Sequence, residues 1–404
     1  MLGAGVFSAL APAAQAAGAA LIVGLVIAAV VAWCNATASA QLAAQFPESG
    51  GAYTYGRRLL GEWPGFVAGW CFVVGKTASC AAMALTAAAY IAPPGWSKAV
   101  GVVAVVAVTA IASLGVHRTA TATRITVYAV LAVLTLVVVA ALASGEVSGG
   151  AIGPVHADPY GVLQSAGIMF FAFAGYARIA TMGEEVREPR RTIPRAIVIA
   201  LALALGIYLV IAVTSLIVLG PAALAASPTP LADVASAGGW TWTDPVVRVG
   251  AAWAALGALL ALTTGISRTV LAMARERDLP TQLASIHPEH RVPRTAVLAL
   301  GAVVIALVLL ADLRTAIGFS SFGVLLYYLV ANVAALRQQG EHRRYPRALH
   351  VLGVAGCVVL AATLPPYSIA VAAAVVAIGV LSRAIRLRWG HRDRRGPAAE
   401  PPSP

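Results

Sequence analysis

The sequence predicts an all-α polytopic membrane protein, and three observations carry that prediction. Of 404 residues, 60% are hydrophobic and 11% charged, with a mean hydropathy of +0.84, whereas soluble domains are close to half apolar. Apolar runs of about 17 to 28 residues, the length that crosses a hydrocarbon core, recur from one end to the other. The third observation is the placement of charge. Of 28 Lys and Arg residues, 22 fall in six clusters: Arg57–Arg58; Arg118 and Arg124; Arg187 to Arg195; Arg275 to Arg294; Arg337 to Arg347; and Arg383 to Arg395. These alternate with connections nearly free of cations, such as 145–160 and 220–243. That alternation is the positive-inside pattern, and it puts the clusters in the cytoplasm. The net charge of +12 therefore does not form one soluble basic face, which excludes a nucleic-acid partner. That leaves membrane lipid as a partner, and the location is the cell membrane, crossed many times.

In chain order the apolar runs predict spans near 17–44, 64–92, 99–115, 124–143, 161–182, 194–219, 245–273, 295–311, 315–336, 349–364 and 367–386. A shorter apolar piece, Met1 to Ala14, precedes them. With the basic clusters inside, 17–44 runs inward and the carboxyl tail is cytoplasmic. The tail, 387–404, is basic and then proline-rich, the composition of a disordered segment. The outer connection 220–243 is Pro/Ala/Ser-rich, and Trp240 and Trp242 suit an interfacial anchor. Cys34, Cys71, Cys80 and Cys357 all lie within apolar runs without CxxC or His/Cys metal spacing. They are read as buried thiols, with no metal and no cofactor expected.

Two spans are broken. "MLGAGVF" places Gly3 and Gly5 at the start of the chain, and "FFAFAGYAR" places Ala174–Gly175 inside 161–182. In lipid, a backbone leaves the helix only where protein or a water-filled cavity satisfies its freed N–H and C=O groups. Transporters with inverted repeats put such breaks in the first helix of each half, with substrate between them. A half-helix beginning at Gly5 offers free N–H groups to a carboxylate, and one ending near Ala174 offers carbonyls to an ammonium. Together they suit the backbone of an amino acid. Gly3, Ala4, Gly5, Phe171, Ala174, Gly175 and Tyr176 are the candidate substrate-binding residues. Each glycine alone also fits a packing role, and at least two of the surrounding Phe170, Phe171, Phe173 and Tyr176 are expected to make ordinary contacts.

Four stretches, "GAGVFSALAPAAQAAG", "FPESGGAYTYGRRLLGEWPGFVAGW", "FFAFAGYARIATMGEEVREPRRTIPRAI" and "SRTVLAMARERDLP", resemble the amino acid permeases of the amino acid–polyamine–organocation superfamily. The P-x-S-G-G-x-Y-x-Y pattern at 47–55 is the most specific part. The resemblance implies a leucine-transporter-type 5+5 inverted repeat with about 12 transmembrane helices and secondary transport, often proton-coupled. One transporter domain over 1–386 then divides into a first repeat at about 1–144, a second at about 160–311 and two further helices at about 315–386, counting overlap at the ends. Such permeases carry a complete first helix, whereas this chain begins almost at its break. The expectation is a native start upstream of Met1, which a mass-measured amino terminus would test. The resemblance also implies that the 46–63 stretch is a re-entrant or surface segment on the cytoplasmic side.

Charges at depth carry the rest. Lys76 falls roughly 16 Å into its span, near the midplane, where a cation costs about 2.5–3.5 kcal/mol unless it faces a cavity. Desolvation disfavours the ammonium form, so a lysine there can trade a proton. The fifth-span lysine of some resembled permeases has no counterpart here, and Lys76 is the substitute candidate for proton coupling. A lysine tied to a helix carbonyl, or contacting an anionic substrate group, are the other readings. Arg178 follows the second break by one turn, with Glu185 two turns further on the same face. It is read as a gating latch or as a ligand for a substrate carboxylate. Two cations and no acid near the site disfavour a cationic substrate, leaving neutral or acidic amino acids. Thr263, Thr264 and Ser267 mark where sodium-coupled permeases of the resembled fold bind an ion, although such hydroxyls commonly bond back to their own helix. An intramembrane enzyme would need a catalytic constellation at depth. The seven histidines are read in loops or tails and every Asp at a span end or beyond, so no enzyme is expected. An exchanger or a cationic amino acid or polyamine transporter of the same fold, and a channel or receptor, are the alternatives.

Overall fold

The computed structural model describes residues 3–46, 50–115, 120–143, 158–176 and 188–392. Among them all regular structure is helical. The helices are α1 (Ala4–Ser8), α2 (Leu10–Ala17), α3 (Leu21–Gln45), α4 (Ala52–Leu60), α5 (Glu62–Ile91), α6 (Ser97–Ser113), α7 (Ala120–Ala143), α8 (Pro159–Phe173), α9 (Pro189–Ala226), α10 (Pro230–Ala237), α11 (Thr243–Arg275), α12 (Arg294–Leu310), α13 (Leu313–Arg337), α14 (Arg347–Ala362) and α15 (Pro366–Arg392). Each predicted span has an apolar helix on it. Seven are long and apolar enough to cross a membrane: α2 with α3, then α5, α7, α9, α11, α13 and α15. The apolar helices α6, α8, α12 and α14 are shorter, at 15 to 17 residues.

α1 and α2 form one nearly continuous rod. Pro12 has no N–H for the Ser8 carbonyl, so the helix is interrupted at Ala9. The bonds Ala9 N to Gly5 O (3.0 Å) and Ala13 N to Ala9 O (3.1 Å) bridge the gap. Gly18, at φ 54°, then turns the chain into α3, a conformation open to glycine. α8 begins at Asp158, whose side chain accepts from Tyr160 N, with Pro159 in the first turn; both are helix-start signals.

α5 is the central helix. Of its apolar window 83% is buried, against 22% for α15 on the periphery. Small residues make that position possible. A Cβ on Gly75 would lie 3.1 Å from Gly323 Cα, and one on Gly323 would lie 2.8 Å from Cys71 O. α5 and α13 thus cross backbone to backbone. α11 packs on α5 as well, and α3 packs on α8. All four cysteines are buried and free, as expected.

Within the span 161–182, α8 ends at Phe173 and a 3₁₀ turn follows over Ala174–Tyr176, at the position of the expected break; residues 177–182 lie outside the described residues. The connection 220–243, expected as a loop, is instead largely helical. Gly220, at φ 70°, kinks α9, a short helical segment continues to Ala226, and α10 follows with Pro230 in its first turn. Proline and alanine there start helices rather than fill a loop. The interval 315–386 carries three helices, α13 to α15, one on each of the spans read at 315–336, 349–364 and 367–386. Before α5 begins at Glu62, the described part of the 46–63 stretch has no helix long enough to cross a membrane. It contains α4, which buries Ala52, Tyr53, Tyr55 and Gly56 on one side.

Candidate functional site

Where α1, α5, α7, α8 and α11 meet, they leave a cavity of about 220 Å³. Gly3, Ala4 and Gly5 line it from one break, and Phe171, Ala172, Ala174 and Gly175 from the other. Lys76 is on its wall, together with Phe72, Ser79 and Met83 of the same α5 face. Thr123, Thr126 and Val127 of α7 and a strip of small residues on α11, including Ala258 and Gly265, complete it. Among the described residues no Asp or Glu contributes to the lining.

The two breaks present opposite backbone ends. No side chain caps the start of α1, so its first N–H groups lack intrahelical acceptors. Gly5 has a packing reason as well, since a Cβ there would lie 2.6 Å from Ala172 Cα. At the end of α8, freed carbonyls find side chains. Tyr208 Oη donates to Ala172 O at 3.0 Å. Lys76, only 5% exposed, donates from Nζ to Ala174 O at 2.9 Å. The reading of Lys76 as tied to a helix carbonyl therefore describes its contact, and that carbonyl belongs to the break itself.

The aromatics divide as expected. Phe170 meets Tyr328 edge-on at 6.0 Å and Phe173 meets Tyr208 at 5.2 Å, both packing roles. Phe171 lines the cavity. Tyr176 closes the 3₁₀ turn by its backbone, and its side chain lies outside the described residues, as do Arg178 and Glu185. The three hydroxyls offered as an ion site bond back into α11: Thr263 to Leu259 O (2.9 Å), Thr264 to Ala261 O (2.9 Å) and Ser267 to Thr264 O (3.0 Å). The neighbouring Ala261, Leu262 and Gly265 line the cavity instead.

Polar ties lie on either side of the cavity. At one end, Tyr90 Oη donates to Phe7 O at 3.1 Å. Arg314 donates to Gln15 (3.1 Å) and Gln164 (3.2 Å), joining α13 to α2 and α8. At the other end, the buried Asp278, just past α11, is the node. It accepts from Arg57 (2.9 Å) and Tyr53 Oη (2.8 Å) of α4. Arg383 Nε of α15 lies 2.9 Å from its other oxygen, paired by charge but off the hydrogen-bonding line. Burial and the adjacent carboxylate push the Tyr53 hydroxyl well above the ordinary tyrosine range, so it stays a donor.

His350 corrects another expectation: it lies inside α14, fully buried, not in a loop. The exposed turn after α11 brings ligand atoms of His287, Glu289 and His290 within 4.8 Å of one another, a grouping that metal-spacing rules based on Cys and His pairs did not flag. None of the three lines the cavity. Sequence reasoning also missed Phe72, Ser79 and Met83. Their signal was present, since they stand four before and three and seven after Lys76, one face of a helix. Asp278 lay within a quoted stretch without being singled out.

Comparisons with known proteins bear on the whole chain. Residues 1–384 match the family described as amino acid permease. The chain is 55% identical over 396 residues to an uncharacterized transporter of Mycobacterium tuberculosis, covering 98% of this chain and 90% of that protein. It is 27% identical to cationic amino acid transporter 7, chloroplastic, of Arabidopsis thaliana, over 84% of this chain and 63% of that one. A branched-chain amino acid permease of Bacillus subtilis is 25% identical, over 88% of this chain and 81% of that one.

Proposed function

The chain belongs to the amino acid permease family, and from that premise we propose that it is a secondary active, proton-coupled permease. It moves a neutral or acidic amino acid across the cytoplasmic membrane by alternating access. The observation that carries this reading is the cavity itself, walled by the backbone of both breaks and by a lysine, with no carboxylate among its described lining residues. Amide donors at α1 suit the substrate's carboxylate, and carbonyls at the end of α8 suit its ammonium. The printed names of two relatives point in different directions, one to cationic and one to branched-chain amino acids. A cavity holding Lys76 and no described acid favours the second kind over the first.

The state is inward-facing in this reading. Thr123 and Gly175 line the cavity and are exposed, and Thr123 adjoins Arg124 of a basic cytoplasmic cluster. The outer side is closed by the Tyr90 and Arg314 bonds. In a 5+5 arrangement of twelve helices, five spans counted from α8 carry the second repeat through α13, beyond the limit of 311. The carboxyl terminus is cytoplasmic.

Purified protein in liposomes tests the reading. Neutral or acidic amino acids accumulate against their gradient when the lumen is alkaline, and a sodium gradient gives no drive. Equilibration without accumulation would instead assign a channel. Uptake that requires preloaded amino acid would assign an exchanger, and preference for arginine or putrescine would overturn the substrate class.

A further inference from the structure

We propose that Lys76 is the charge selector of this cavity: held on the Ala174 carbonyl, it yields that carbonyl to the substrate's ammonium and pairs with the substrate's carboxylate. The inference rests on the permease reading. Among the described lining residues Lys76 is the one charged side chain, and no described carboxylate lies within ion-pair distance of it. Its hydrogen bond goes to Ala174 O, 2.9 Å away, at the broken end of α8. The carbonyl two residues earlier, Ala172 O, is already taken by Tyr208. Lys76 thus holds the acceptor that a bound ammonium needs.

A lysine stem has four carbons and no fixed fork, so its head can change partner without moving the helix. A zwitterion exchanges charges evenly: its ammonium replaces Lys76 at Ala174 O and its carboxylate meets the released Nζ. An acidic amino acid brings a further negative group to the same cation. A dibasic one adds a second cation to a buried space that already holds one, and like charges at close range in low dielectric are strongly disfavoured. The neighbouring hydroxyl of Ser79 does not compensate, because it is engaged with Ser320 Oγ at 2.6 Å.

The test is equilibrium binding of radiolabelled leucine, glutamate and arginine to the purified full chain, wild type beside Lys76→Met, Lys76→Gln and Lys76→Arg. Wild type and Lys76→Arg bind leucine or glutamate in preference to arginine. Lys76→Met and Lys76→Gln lose about 10- to 100-fold of that preference, with glutamate affected most. A merely structural lysine would weaken all three ligands together and leave their ratios unchanged, and that result overturns the proposal. So does wild-type protein that binds arginine more tightly than leucine and glutamate, a readout that stands even if Lys76→Met does not fold. Wild-type protein that binds no amino acid at all overturns the permease reading itself, whereas leucine binding with unchanged ratios in the variants overturns this inference alone.

Discussion

Replacing Asp278 by alanine is expected to destabilise the end of the protein where α4, α11 and α15 meet by about 3–5 kcal/mol, the range for removing one partner of a buried ion pair. The structure says which partner dominates. The Arg383 side chain is 4% exposed and the Asp278 side chain 3%, so this pair is at the buried limit. Arg57 is 21% exposed and keeps Glu276 at 3.2 Å, so its loss is screened and adds no more than about 1 kcal/mol. Arg383 retains the faces of Trp63 (4.6 Å) and Phe66 (5.0 Å), which support the cation but do not neutralise it. Its other carboxylate, Glu62 at 3.3 Å, is 69% exposed and compensates weakly. The assay is a double-mutant cycle read by thermal denaturation in detergent: Asp278→Ala, Arg383→Met and the two combined. The combined variant should be less destabilised than the sum of the singles, because it leaves no bare buried charge. A loss under about 1 kcal/mol for Asp278→Ala, or strict additivity in the cycle, would refute the reasoning.

Other sites give shorter tests. Gly5→Val puts side-chain atoms into the 2.6 Å gap to Ala172, an overpacking of about 1–3 kcal/mol that should abolish uptake while α15-side contacts survive, as limited proteolysis would show. Arg314→Ala removes the bonds to Gln15 and Gln164. A cysteine placed at Ala258 should then react faster with an impermeant thiol reagent added from outside; an unchanged rate would show that Arg314 is not part of the outer closure. Thr263→Ala deletes a hydroxyl bonded to its own helix and should leave uptake insensitive to sodium and stability within about 0.5 kcal/mol; sodium-stimulated uptake lost in this variant would reinstate the ion site.

How far the site was legible follows from particular residues. Gly3, Gly5, Ala174 and Gly175 were marked because a glycine break in an apolar run is visible without knowing its neighbours, and the structure brings all four to one cavity. Lys76 was marked because a cation at that depth is conspicuous. Its partner was not legible, since Ala174 lies 98 positions away and any freed carbonyl would have read the same. Thr263, Thr264 and Ser267 misled for the converse reason: hydroxyls at helical spacing look alike whether they face a cavity or bond to the preceding turn. His350 and Asp278 escaped notice because burial is a property of neighbours.

Composition and hydropathy alone determined that the chain is a helical, multi-pass membrane protein. A bilayer demands that each crossing segment be apolar and internally hydrogen-bonded, so such segments announce themselves one at a time. Which faces meet was decided only in three dimensions. The crossing of Gly75 with Gly323, the lysine's grip on the end of α8 and the gathering of Arg57, Tyr53 and Arg383 around Asp278 each join residues far apart in the chain. Contacts of that kind depend on the mutual placement of helices, and a pattern within any single helix does not contain it.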